Sequence, residues 1–182
     1  MLTSNTDIEL WNAAAQGSQQ ALGELFRRYY DLLFQYGRKI CPDAELLEDS
    51  IQDLFTEIWQ KGTNSSVQSV KAYLLQALKF KLYKAFRDQK RMHSIDDAAN
   101  ELFELSHENF MVATEEDKEK MKRLLDAIND LPARQKEIIY LKIYKGLSYE
   151  EVSQVMEINY QVVRNLLCQA LKSFRKLLML FV

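Results

Sequence analysis

The sequence predicts an all-α protein made of two small helical domains joined by an acidic linker. Three observations point there. Apolar residues recur at helical spacing over most of the chain, and no stretch shows convincing strand-like alternation. Gly and Pro are scarce, at 5 and 2 in 182 residues, which favours long helices over tight turns. Between two periodic halves, 94–116 loses its period and turns acidic and polar. Unstructured stretches of that length are uncommon inside a domain. The expected organisation is a helical bundle over 1–93, a linker over 94–116 and a helix-turn-helix domain over 117–182.

The elements follow in order. Asp7 to Gln16 reads as a helix with Ile8, Leu10, Trp11, Ala14 and Ala15 apolar. Gly17-Ser18 breaks it, and Ser18 is placed to cap the next helix. That helix, Gln20 to Ile40, spaces Leu22, Leu25, Phe26, Tyr29, Leu32, Leu33 and Tyr36 on one face. Pro42 ends it, because proline lacks the backbone N–H that a helix needs. Ala44 to Lys61 is the third helix, with Leu47, Ile51, Leu54, Phe55, Ile58 and Trp59 expected inward. Its outward side, Glu45, Glu48, Asp49, Gln52, Asp53 and Glu57, is densely acidic. Val67 to Arg91 is a fourth helix, both aromatic and basic. Beyond the linker, Glu115 to Leu131 is helical through Met121, Leu124, Leu125 and Ile128. Leu131-Pro132 turns the chain. Ala133 to Tyr144 continues with Ile138, Ile139, Leu141 and Ile143 apolar until Gly146.

The span from Ser148 to Lys176 reads as a helix-turn-helix. Ser148 and Glu151 stand at capping-box spacing. Val152, Val155 and Met156 share a face, and Glu157-Ile158-Asn159 forms a short connection. Asn159 suits the N-cap of the next helix. That helix carries Val163, Leu167, Ala170, Leu171 and Phe174 on one stripe. Gln161, Arg164, Asn165, Cys168 and Lys172 project from the other side. A polar face at the start of a second helix suits major-groove reading. The plain alternative is a helical hairpin inside an ordinary bundle.

Charge is segregated. The net charge is −2, yet 61–93 carries +7, 94–120 carries −7 and 131–182 carries +4. Basic blocks are the footprint of phosphate contact, although a solvated helix face gives the same pattern. In the first block, Tyr73, Phe80, Tyr83 and Phe86 alternate with Lys79, Lys81, Lys84 and Arg87, and Lys90 and Arg91 extend it. Aromatic faces stack unpaired bases while Lys and Arg hold phosphates. Aromatics at helical spacing also build cores, and some of these four are expected to do so.

Other functions find little support. His93 and His107 have no partner at a fixed spacing, and no Gly-rich phosphate loop is present, so no catalytic residue, metal or cofactor is expected. No apolar run reaches the roughly 18 residues of a membrane span. The N-terminus lacks a basic flank before an apolar core, so no signal peptide is expected. Cys41 and Cys168 read as reduced thiols of a cytoplasmic protein.

With both ends read, the chain resembles bacterial RNA polymerase sigma factors of the extracytoplasmic-function type. Leu131-Pro132-x-Arg134-Gln135, Gly146-Leu147-Ser148-Tyr149-Glu150-Glu151-Val152, Ile158-Asn159, Val163-Arg164 and Ala170-Leu171 are similar to the family's region 4. Gly17 to Ala21, Leu25-Phe26, Tyr29-Tyr30 and Glu48-Asp49-x-Ile51-Gln52-Asp53-x-Phe55 resemble its region 2. The resemblance implies a protein that binds core polymerase and directs promoter recognition and melting. Asp49, Gln52 and Asp53 would dock on the clamp helices of the β′ subunit. Tyr73, Lys79, Phe80, Lys84, Arg87, Lys90 and Arg91 would melt and hold the minus-10 element. Ser148, Asn159, Tyr160, Gln161, Arg164 and Asn165 would contact the minus-35 element. The acidic linker would thread toward the polymerase active-site and RNA-exit channels. An anti-sigma partner is also implied.

The chain departs from the family pattern at several positions. Asn159 and Val162 stand for a usual Ser and Thr, Leu166 and Gln169 for commonly basic residues. Tyr73 replaces a frequent Trp, Phe80 a frequent Asn and Lys84 a frequent Asp. The promoter sequence therefore does not follow from the resemblance. A free-standing helix-turn-helix regulator and a protein-binding helical adaptor stay open beside the sigma factor.

Overall fold

The computed structural model describes residues 6–61, 67–90, 103–105 and 115–180, side chains of 61, 89–90, 115–121 and 178–180 excepted. Among the described residues there are helices and no strand. The chain divides into two compact units, Met1–Gln89 and Lys90–Val182.

In the first unit, α1 (Asp7–Ala15), α2 (Gln19–Gly37), α3 (Ala44–Lys61) and α4 (Val70–Lys90) enclose one core. Their starts are written in the caps. Thr6 and Glu9 form a capping box on α1, and Ser18 Oγ accepts from the Ala21 N–H at 3.3 Å. Asp43 Oδ1 accepts from the N–H groups of Glu45 and Leu46, and Ser69 Oγ from that of Ala72. Each such bond occupies an amide that the first helical turn leaves without a partner. Leu25, Tyr29, Leu33 and Tyr36 of α2 meet Leu47, Ile51, Leu54 and Phe55 of α3 in the core. Asp7 ties α1 to α2, accepting from Arg28 Nη1 at 2.7 Å and from the Tyr29 hydroxyl. Gly37 lets the end of α2 approach α3, since a Cβ there would lie 2.2 Å from Leu47 Cδ1.

The second unit holds α5 (Glu115–Asn129), α6 (Ala133–Ile139), a π-helical stretch (Tyr140–Tyr144), α7 (Tyr149–Met156) and α8 (Tyr160–Leu180). α8 packs against α5, α6 and α7. Its buried stripe is Val163, Leu167 and Ala170, facing Val152, Val155 and Met156 of α7.

Several expectations are corrected. Trp59, expected inward on α3, is 44% exposed, because the buried stripe of α3 ends on Ile58. Leu171, placed on the buried stripe of α8, is exposed, since the stripe follows Val163, Leu167 and Ala170. The helix expected over 133–144 changes at Tyr140, where the Lys145 N–H donates to the Tyr140 carbonyl at 2.9 Å, five residues back. The wide turn rotates Ile143 and Tyr144 outward, so Ile143 is not core. Ile8, apolar in sequence, is also exposed. Within the stretch read as linker, Phe103 and Leu105 are buried. Arg91, the side chains of Lys90 and Met121, and most of the linker lie outside the described residues.

Candidate nucleic-acid and protein interfaces

The acidic face of α3 stands as the periodicity requires. Glu45, Glu48, Asp49, Gln52, Asp53 and Glu57 are all exposed. The helix points its core residues one way and these polar side chains the other. Beside them lies an open groove of about 390 Å³ between α2 and α3, lined by Leu22, Phe26, Gln52, Phe55, Thr56 and Trp59 among others. The exposed indole of Trp59 borders Gln52, a neighbourhood that the sequence reading missed by assigning Trp59 to the core. An apolar groove flanked by carboxylates offers both burial and charge to a partner.

α4 divides its candidates. Tyr83 and Phe86 belong to the core. Tyr73 is half-buried, its ring edge-on to Trp11 at 4.9 Å between centroids, and Phe80 is half-buried. Lys79 is buried, its ammonium 5.7 Å from the Tyr83 ring centroid. A phosphate contact by Lys79 would need that ammonium to leave the aromatic face. Lys81 pairs with Glu57 of α3 at 2.5 Å, so part of the basic block holds the unit together. Lys84 and Arg87 are exposed, and Arg87 Nε stands 3.7 Å from Asp88.

The helix-turn-helix is built by its caps. The Glu151 N–H donates to Ser148 Oγ at 3.1 Å, and the Ser148 N–H to Glu151 Oε2 at 2.8 Å. α7 ends on Glu157, whose φ of 53° is left-handed. Ser153 Oγ donates to the Ile158 carbonyl, bracing the turn. Asn159 Oδ1 accepts from the Val162 N–H at 2.9 Å and starts α8. Ser148 and Asn159 are thus structural caps before they can be contacts. Tyr160, 43% exposed, leans on Tyr149 at 5.5 Å, joining the starts of the two helices. Gln161, Arg164 and Asn165 are exposed on one side of α8. Gln161 Nε2 donates to Asn165 Oδ1 at 3.2 Å, a bond that does not use the Gln161 carbonyl or the Asn165 amide donors.

Two cation–aromatic clusters back this motif. Lys142 Nζ lies 4.7 Å from the Tyr149 ring centroid and donates to the Leu147 carbonyl at 2.7 Å. Lys145 Nζ lies 5.4 and 4.8 Å from the Tyr140 and Tyr144 ring centroids. Burial lowers the Lys145 pKa and raises that of Tyr140. Burial also lowers the Lys136 pKa, against the opposing pull of Glu104 and Asp130. The bonds to its own backbone and to Ser148 lower the pKa of Glu150 at the first turn of α7.

Residues 25–92 match sigma-70 region 2, and residues 121–174 match sigma-70 region 4. The first span holds the acidic face and all of α4, the second α7 and most of α8. The chain belongs to the sigma-70 family. It is a sigma factor of the extracytoplasmic-function type, a protein that binds core RNA polymerase and directs it to promoters. Sigma factors are regulators of transcription rather than enzymes.

Similar proteins span nearly the same length. The RNA polymerase sigma factor SigV of Bacillus subtilis (strain 168) is 26% identical over 147 residues, 81% of this chain and 82% of SigV. The ECF RNA polymerase sigma factor SigK of Mycobacterium tuberculosis (strain ATCC 25618 / H37Rv) is 23% identical over 188 residues, 97% of this sigma factor and 95% of SigK. Among solved structures, CnrH in complex with the cytosolic domain of CnrY is similar in fold. Its TM-score is 0.64 at 21% identity, covering 96% of this chain and 97% of CnrH. The sigma factor RpoE of Bartonella quintana, solved with the anti-sigma factor NepR, has a TM-score of 0.63 at 20% identity, covering 88% and 98%. Among the described residues, no helix is long and apolar enough to cross a membrane.

Proposed function

We propose that this sigma factor divides its work between units over 1–93 and 117–182. The α3 face of Asp49, Gln52 and Asp53, with the groove at Trp59, docks on the clamp helices of core polymerase. The exposed side of α4, with Lys84 and Arg87 beside the half-buried Tyr73 and Phe80, holds the melted minus-10 strand. Lys90 and Arg91 extend that contact. α8 enters the major groove at minus-35 through Tyr160, Gln161, Arg164 and Asn165, while Ser148 and Asn159 hold the two helix starts. The Asn165 amide donors and the Gln161 carbonyl suit the N7 and N6 edge of adenine. Arg164 suits guanine or a phosphate. The protein carries no catalysis of its own and acts in the cytoplasm beside polymerase. An anti-sigma protein is the expected regulator, since the RpoE relative was solved with one.

The carrying observation is a polar, exposed face at the start of α8, a helix anchored by the buried stripe of Val163, Leu167 and Ala170, in a chain that also has a region 2. The test is retention on purified core polymerase, wild type beside the double variant Asp49→Lys/Gln52→Ala. Retained wild type and lost variant support the docking face. Equal retention moves the docking surface elsewhere on the protein. On promoter DNA loaded with holoenzyme, Arg164→Ala should weaken binding by about 1–3 kcal/mol. An unchanged affinity and salt slope would remove Arg164 from the groove.

A further inference from the structure

The exposed face at the start of α8 is not uniformly polar. Val162, in the first turn, is 42% exposed, and Gln161, Arg164 and Asn165 around it are exposed as well. At about 100° per residue, Gln161 and Asn165 lie nearly opposite the buried stripe of Val163, Leu167 and Ala170. Arg164 falls on one flank of that amide pair and Val162 on the other. One turn on from Val162, the half-buried Leu166 continues the aliphatic flank toward the core. The face therefore has an amide centre, a cationic edge and an aliphatic edge.

Val162 is also held in one geometry. Its N–H donates to Asn159 Oδ1 at 2.9 Å, which fixes the backbone where the helix begins. Branching at Cβ leaves its two methyl groups one strongly preferred rotamer in a helix. A single exposed valine elsewhere on a surface calls for no explanation. The start of the second helix is different, because that turn is the part of the motif that meets base edges. The major groove offers an aliphatic side chain a single apolar partner, the C5 methyl of thymine. Against the amino group of cytosine or adenine, valine would strip water from a donor and return no bond, and the acceptors of guanine fare no better.

We infer that Val162 is a specificity-determining residue that packs on a thymine methyl in the minus-35 element. The inference rests on the groove reading of α8 proposed above and adds a base that no hydrogen-bonding residue of this helix selects. Side chains three apart on a helix have Cβ atoms about 5–6 Å apart, and successive base pairs rise about 3.4 Å. The thymine therefore lies within about two base pairs of the adenine read by Gln161 and Asn165.

The test uses holoenzyme assembled from core polymerase and the full chain. It selects promoter duplexes from a pool randomised across the minus-35 element. Each selected thymine is then replaced by deoxyuridine, which deletes the methyl and keeps the base pair. The wild type should lose about three- to fourfold in affinity at one thymine, within about two base pairs of the position that Gln161→Ala/Asn165→Ala relaxes. Val162→Ala, which keeps a good helix former, should bind the thymine and uracil forms alike. The wild-type arm needs no variant to fold. Uracil tolerated at every position, or a selected element with no thymine within that reach, overturns the contact. So does a uracil penalty of the same size in Val162→Ala. A pool enriched identically by the wild type and by Gln161→Ala/Asn165→Ala would instead fault the groove reading, and the Val162 contact would fall with it.

Discussion

α4 and α8 are both 21 residues long, both carry Lys or Arg among apolar residues, and both are candidates for nucleic acid. They bury themselves in opposite ways. α4 sinks Val70, Ala72, Leu74, Leu75, Leu78, Leu82, Tyr83 and Phe86, which lie on more than one side of the helix. α8 sinks a narrow stripe, Val163, Leu167 and Ala170, at steps of four and three. A helix covered on several sides spends its aromatics on the core and leaves few positions for a ligand. A helix covered on one stripe leaves its polar side available. Side-chain type alone therefore overstates what α4 leaves to solvent, and matches the exposure of Gln161, Arg164 and Asn165 on α8.

The largest expected effect tests this contrast directly. Leu78→Ala, at a fully buried α4 position, should cost about 3 kcal/mol of stability in urea unfolding of the intact chain. Gln161→Ala with Asn165→Ala on α8 should stay within about 0.5 kcal/mol while weakening promoter binding. Comparable losses from both would erase the distinction between the helices.

A finer comparison uses one ring from each. Tyr73→Ala gives up an edge contact with the buried Trp11 and should destabilise by about 1.5 kcal/mol. Tyr160→Ala, from a side chain 43% exposed, should cost about 0.5 kcal/mol or less. A Tyr73 variant with wild-type stability but lower affinity for single-stranded DNA would return that ring to the binding surface. The smallest effect lies in the turn before α8. Glu157→Gly removes a side chain from left-handed backbone and should stabilise by about 0.5–1 kcal/mol, with α8 unmoved. A loss of stability there would mean that the Glu157 side chain supports the turn.

Much of this was readable in advance. The capping residues Ser18, Ser148, Glu151 and Asn159 mark helix starts because a cap bond forms within a few residues of chain. The acidic face of α3 and the exposed Gln161, Arg164 and Asn165 follow from the period of a single helix. Where the reading fell short, the missing information was distant. Trp59 looks like the last core residue of α3, but among the described residues it borders an open groove and stays exposed. Lys79 looks like a phosphate ligand until Tyr83 claims its ammonium, and Lys81 until Glu57, on another helix, neutralises it. The burial of Phe103 and Leu105 has no periodic signal at all, because three residues outside any helix are too few to show one.

The chain's own pattern decided the helices, their caps and the side of α8 left to solvent, since each depends on backbone bonds and periods a few residues long. Packing decided which α4 side chains face water, where the helix after Pro132 widens at Tyr140, and where residues 103–105 lie. Those outcomes depend on which surfaces meet across the fold, and a local period cannot specify its neighbours.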